Sequence, residues 1–212
     1  MLGKLLAGLR GEAASPALPV IGEAGLGRAV RIDPSMLAAV EEAVGEAVSP
    51  DLVITGQGVI EMADETSDAT WLHRFYDDEH RMLQAMTTAA DGGDVLEWSF
   101  YVPAGAEYPG VGETAAGLKK RLTKARFEHD GQPFERLWYE GEADQPAVEF
   151  TEVVYEEADM SDGRPLPQAC MVYGREGTLG EVLLLAILTG AGQDASLERM
   201  IGTGLRPHHI GV

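Results

Sequence analysis

The chain has 212 residues, of which 45% are hydrophobic, 24% charged and 7% aromatic, the balance of a chain that folds rather than one that stays disordered. Lys and Arg number 16 against 35 Asp and Glu, and the resulting formal charge of −19 repels a phosphate backbone, setting nucleic acid aside as a partner. The single cysteine, Cys170, excludes an intramolecular disulfide, and its apolar neighbours mark a buried thiol and a reducing, cytoplasmic setting.

Residues 1–11 place Leu2, Leu5, Leu6 and Leu9 at helical spacing with Lys4 and Arg10 as the only charges, and residues 12–19 read as a linker. Such an amphipathic start docks on its own domain or makes weak membrane-surface contact, and it is too short and too interrupted for a signal peptide. One domain is expected over residues 20–212. Asp33 as a cap and Pro34 at the first helical position open a helix with Leu37, Val40, Val44 and Val48 on one face, stopped at Ser49-Pro50.

From residue 52 the apolar period changes to two, the mark of strands. Ile54, Gly56, Gly58, Ile60 and Met62 share one face, as do Leu96, Trp98, Phe100 and Val102. Further strands are expected over 71–76, 81–88, 123–128, 134–139, 148–155, 169–173 and 181–188. Asp91-Gly92-Gly93-Asp94 and Asp130-Gly131 supply residues tolerant of positive φ for hairpin turns. Peripheral helices are expected over 113–122 and 195–201, the second ended by Gly202. Glu152 breaks the pattern by sharing parity with Val148, Phe150 and Val154, which implies a bulge or a solvent-facing edge. The expected fold class is α+β: mainly an antiparallel β-sheet meander, as a curved sheet or two packed sheets, with an N-terminal helix and short peripheral helices. The longest aliphatic run, 182–188, falls far short of the ~20 residues of a membrane-spanning helix.

Residues 140–162 carry nine acidic side chains and no basic one, whereas 119–126 carry five basic ones and no acidic one. An acidic surface including Glu149, Glu152, Glu156 and Glu157 is therefore expected to meet a protein partner with a basic surface, with the basic run compensating part of it within the molecule.

No phosphate-binding loop, zinc-protease helix, nucleophile elbow, paired cysteines or calcium loop occurs in the sequence. The densest polar stretch is 71–81. His73 and His80 with Asp77 and Asp78 have the chemistry of metal ligands, but no compact spacing fixes a geometry, so no cofactor, metal or catalytic residue is assigned. Glu65, Asp68, Asp77 and Glu79 could pair as acid and base, although an acid-rich chain brings carboxylates together by chance. Trp71, Arg74 and Tyr76, with Asp77 and Asp78, are the interaction candidates, because aromatic and Arg side chains concentrate binding energy.

The segments WLHRFYDDEHRMLQ (71–84), FERLWYEGE (134–142), VEFTEVVYEE (148–157) and CMVYGRE (170–176) resemble the YjfK-like family of bacterial proteins of unknown function. The likeness runs from about residue 30 to residue 188 and carries no established site residues. It implies a bacterial, cytoplasmic protein in a membrane-stress setting. The resulting expectation is a non-enzymatic interaction protein, with a carboxylate- and histidine-based enzyme or a small-cation (metal or polyamine) binder as the alternative.

Overall fold

The computed structural model describes residues 17–62 and 70–212. The amphipathic segment 1–11 and the candidate carboxylates Glu65 and Asp68 lie outside the described residues.

The first strand, β1 (Ala29–Ile32), pairs with β2 (Asp51–Val53) and with the short final strand, Ile210–Gly211, in a three-stranded sheet. Between β1 and β2 the Asp33 carboxylate accepts the Ser35 N–H at 2.9 Å, and a 3-10 turn at Pro34–Met36 leads into α1 (Ala38–Val44). The helix is shorter than its apolar pattern implies. Gly45, at φ +79, donates its N–H to the Glu41 carbonyl and ends α1 before Ser49-Pro50 is reached. No helix precedes β1 among the described residues, where 17–28 form an irregular segment with one bridge, Ile21 to Ala24, and the N-terminal helix expected over 1–11 lies outside them.

The remaining strands are β3 (Gly56–Met62), β4 (Thr70–Tyr76), β5 (Met82–Thr87), β6 (Val95–Glu107), β7 (Arg126–His129), β8 (Gln132–Arg136), β9 (Val148–Tyr155), β10 (Arg164–Gly177), β11 (Gly180–Thr189), β12 (Ser196–Leu205) and β13 (Ile210–Gly211). A second helix, α2 (Ala115–Arg121), follows β6. Eight strands close in the order β3-β4-β5-β6-β12-β11-β10-β9 and back to β3, every pairing antiparallel. This is a closed barrel, not the open curved sheet or the two packed sheets expected. Closure depends on the 14 residues of β10, which pair along one edge with β11 and along the other first with β9 and then with β8. No barrel strand is left with a free edge along its whole length, which removes the hazard of an open sheet. The β7–β8 hairpin turns at Asp130 and Gly131, with φ values of +49 and +72, as their sequence requires.

Residues 196–205 form barrel strand β12, where a helix over 195–201 was expected. Leu197, Ile201 and Leu205 face outward into the main core, while Met200 and Gly202 face the lumen. Gly202 is no helix terminator. A Cβ there would stand 2.4 Å from the Tyr101 ring, so glycine lets that ring lie across the wall.

Two apolar cores result. The larger lies outside the barrel, where Phe75, Leu83, Phe100, Leu184 and Ile201 are covered by Leu37, Val40, Leu52, Ile54, Leu118 and Leu122. Helix α1 packs on β11 and β12, and α2 on β11. The smaller core lines the lumen with Met82, Tyr101, Cys170, Val172, Leu183, Leu185, Ile187 and Met200. No helix among the described residues is long and apolar enough to cross a membrane.

Candidate functional site

Strand alternation and register determine which side chains enter the lumen. Arg74 on β4 pairs with Gly58 on β3 and Gln84 on β5, so all three positions face inward, as do Glu152 on β9 and Gln168 on β10. Arg74 and Glu152 have side chains 1% and 0% exposed, and their Nη1 and Oε2 atoms are 2.9 Å apart. The Glu152 carboxylate also accepts from the Tyr76 hydroxyl at 2.7 Å and from Gln168 Nε2 at 2.7 Å. Arg74 donates to Gln168 Oε1 at 2.8 Å and to Gln84 Oε1 at 3.0 Å, and its guanidinium lies 5.3 Å from the Phe150 ring centroid. A buried charge pair is tolerable when its remaining donors and acceptors are satisfied in this way.

Gly58 makes room for the layer. A Cβ at that position would sit 1.7 Å from Glu152 Oε1 and 2.7 Å from its Cδ. Burial opposes the Arg74 charge, but Glu152 and then Tyr76 and Cys170 hold its pKa above the ordinary value. Burial, then the Glu152 charge, raises the Tyr76 phenol well above its usual range. Burial pushes the Cys170 thiol up to about 12, so it is neutral and unreactive.

The charged layer divides the lumen into two chambers. One, of about 450 Å³, is lined by Met62 and Leu72 (β3, β4), Gln84 and Met86 (β5), Glu97, Ser99 and Tyr101 (β6), Val148 (β9), Val172 (β10) and Leu183 (β11), with Leu137, Trp138 and Tyr139 beside it. The other, of about 660 Å³, is lined by Tyr76, Pro103, Val154, Gln168, Ile187 and Met200, with His80, Glu198 and Arg199 at its mouth. Arg74, Cys170 and Leu185 line neither, since each stands between a residue of one chamber and a residue of the other along its own strand. The floor of the first chamber is fixed by hydrogen bonds: Gln84 is held by Arg74 and reaches Ser99 Oγ at 3.4 Å. Its mouth is bordered by the segment after β8, where the Leu137 N–H donates to the Val172 carbonyl at 3.0 Å and the Leu137 side chain fills the space left by Gly174.

The interaction candidates separate in the structure. Arg74 and Tyr76 direct their polar ends into the lumen. Asp77 is buried in the β4–β5 turn, where its carboxylate accepts the Arg81 N–H at 2.9 Å and pairs with the Arg81 guanidinium at 2.6 Å. Arg81 in turn donates to the Ser49 and Asp51 carbonyls and fastens that turn to β2. Trp71 is half-buried on the outer wall, and Asp78 is exposed. His73 is buried on the outer wall with Nε2 3.1 Å from Thr87 Oγ1, whereas His80 is exposed at φ +58, so the two imidazoles do not converge.

The acidic set divides in the same way. Glu152 is sealed inside the barrel and is not part of the surface. Glu149 is exposed and paired with Lys119 at 2.8 Å, Glu156 is exposed and paired with Arg164, and Glu157 is exposed. Lys124 meets Asp144 at 2.6 Å and Arg126 meets Glu142 at 3.4 Å, so the basic run neutralises part of the acidic segment. No group of three or more His, Cys, Asp or Glu side chains arranged to hold a metal occurs among the described residues. Gly58, Gln84, Glu97, Ser99 and Gln168 were not recognised from sequence, where the one available signal was a charge at an inward parity on β4 and on β9.

Closed antiparallel topology, a sealed ionic layer and two chambers place the molecule among β-barrel proteins with an internal cavity. The chain belongs to the family described as "Protein of unknown function (DUF2491)", whose model matches residues 3–211. No curated protein and no solved structure matches it.

Proposed function

We propose that this is a non-enzymatic binding protein whose working site is the first chamber of the barrel, taking a small amphipathic molecule. The supporting observation is the chamber itself: about 450 Å³, with mainly apolar walls, a hydrogen-bonded Gln84–Ser99 pair at the floor and Glu97 at the mouth. Ligand sites occupy about 300–1,000 Å³ and combine apolar walls with sparse, oriented polar groups in this manner. The sealed ion pair gives the chamber a rigid floor, and Cys170, His73 and His80 are not part of its lining.

The test is calorimetric titration with octyl glucoside below its micelle concentration, on the native protein and on Met86→Trp, which places an indole in the chamber. Binding to the native protein and its loss in the variant, with the far-UV spectrum unchanged, supports the reading. Equal heats from both proteins refute it.

A basic protein partner on the outer carboxylates is the second reading, supported by exposed Asp78 and Glu157 and by the net charge of −19. Association of that kind weakens with salt, since exposed charges are screened within ~8 Å at physiological ionic strength. The likeness to YjfK-like proteins supports a bacterial cytoplasm as the setting, and the leucines of residues 2–9 support a weak membrane-surface contact.

A further inference from the structure

We infer that the ligand of the first chamber is a cationic amphiphile, an apolar chain or ring bearing an ammonium group, held with its cation at the mouth. This rests on the chamber being the binding site and adds the chemical class of the occupant. Among the described residues lining the chamber, Glu97 is the only charged one. It projects from the start of β6 opposite Met86, two residues before Ser99, and is exposed while Ser99 is buried. The Glu97 carboxylate therefore sits at the open end, and the neutral Gln84–Ser99 pair sits at the floor.

This polarity orients a guest. Its apolar part gains by entering among Leu72, Val148, Val172 and Leu183, and its charged part stays hydrated beside Glu97. Trp138, 36% exposed beside the same mouth, offers a ring face, and an indole is the aromatic group that attracts an ammonium most strongly. The neighbouring Tyr139 ring is already engaged by the Arg136 guanidinium at 5.8 Å, which leaves Trp138 as the available face. An anionic amphiphile would place like charge against Glu97 in a molecule that carries −19 overall, and a neutral one would use the apolar walls alone.

The experiment is a matched series by calorimetry below micelle concentrations: octyltrimethylammonium, octyl glucoside and octyl sulfate against native protein, Glu97→Gln, Trp138→Leu and Met86→Trp. The expected result is binding in the order cation, neutral, anion. Glu97→Gln lowers the cation's affinity about fivefold, the size of one partly exposed charge contact, and leaves the neutral probe unchanged. Trp138→Leu lowers the cation's affinity more than the neutral probe's. A cation preference that survives intact in Glu97→Gln assigns the effect to bulk charge and overturns the inference while the chamber remains the site. Equal binding of cation and neutral probe to native protein does the same. Loss of no probe in Met86→Trp, or binding of none to native protein, removes the chamber as the site and the inference with it.

Discussion

Replacing Glu152 by Gln tests the sealed ionic layer. The substitution preserves shape, but it removes the charge facing Arg74, whose side chain is only 1% exposed, and turns one of the carboxylate oxygens into a donor. That carboxylate accepts from three groups, Arg74 Nη1, the Tyr76 hydroxyl and Gln168 Nε2, at 2.9, 2.7 and 2.7 Å. A single amide oxygen cannot accept from all three, so at least one of these donors loses its acceptor. Leaving a buried charge uncompensated costs about 3–5 kcal/mol. In a protein of this size each kcal/mol moves the melting temperature by about 2–4 °C, giving a loss of roughly 10 °C. Urea unfolding followed by tryptophan fluorescence, together with thermal unfolding, measures both quantities. The volume-matched pair Arg74→Met with Glu152→Leu removes both charges and leaves Tyr76, Gln168 and Gln84 short of a partner, at about 1–3 kcal/mol each. Because neither charge is then left facing an empty place, the double variant is expected to lose less than the sum of the losses in Arg74→Met and Glu152→Leu alone. A loss below about 1 kcal/mol in Glu152→Gln, or additive losses in the double variant, would refute the reasoning.

Gly58→Ala is expected to cost about 1–3 kcal/mol in the native background and much less in Glu152→Ala, because the three atoms nearest the added Cβ all belong to the Glu152 side chain; equal costs in both would contradict the packing. Burial lowers the pKa of His73, against the Ala89 backbone carbonyl, which raises it, and burial likewise lowers that of His129. Both rings bind protons more readily in the unfolded chain, so their contribution to stability is complete above the ordinary value of 6.5 and is lost as pH falls through the lowered folded values. His73→Gln should flatten the fall of the urea midpoint with decreasing pH below that point, and an unchanged slope would show that this ring does not contribute. Cys170 should resist iodoacetamide at pH 8 in the native state and react on unfolding in urea; native labelling at the unfolded rate would contradict its enclosure beside Arg74 and Glu152.

Much of the wall was legible because strands announce themselves locally. The alternation through β3, β4, β5, β6 and β9, and the Asp130-Gly131 turn, needed only period and turn chemistry. Closure was not legible. A barrel strand and a strand of a curved sheet alternate alike, and what joins the ends is the register of β10 against β9 and β11, a pairing among distant residues that no single segment encodes. In β12 (Ser196–Leu205) the small residues Gly202 and Gly204 blurred the alternation, so 195–201 read as a short helix with Gly202 as its terminator; the need for glycine comes from Tyr101 on another strand. Glu152 is the most instructive case. Its apolar parity was visible, and it was read as a bulge or a solvent-facing edge on the acidic surface, since burying a lone carboxylate is costly. Arg74, 78 residues earlier, shows the same irregularity among Leu72 and Tyr76, and the two irregularities offset each other across the lumen. A pair of opposite charges at inward positions on two strands was therefore the available signal, recognisable only once the strands were known to enclose a common space.

The most direct measurement of the chamber's role is methionine-methyl NMR during titration with octyltrimethylammonium. Met62 and Met86 line the first chamber, and Met200 lines the second, beyond the Arg74–Glu152 layer. Occupation of the first chamber shifts the methyl signals of Met62 and Met86 in proportion to ligand bound and leaves Met200 in place. Shifts at Met200 without change at Met62 and Met86, or no shift at any of the three, would contradict the account.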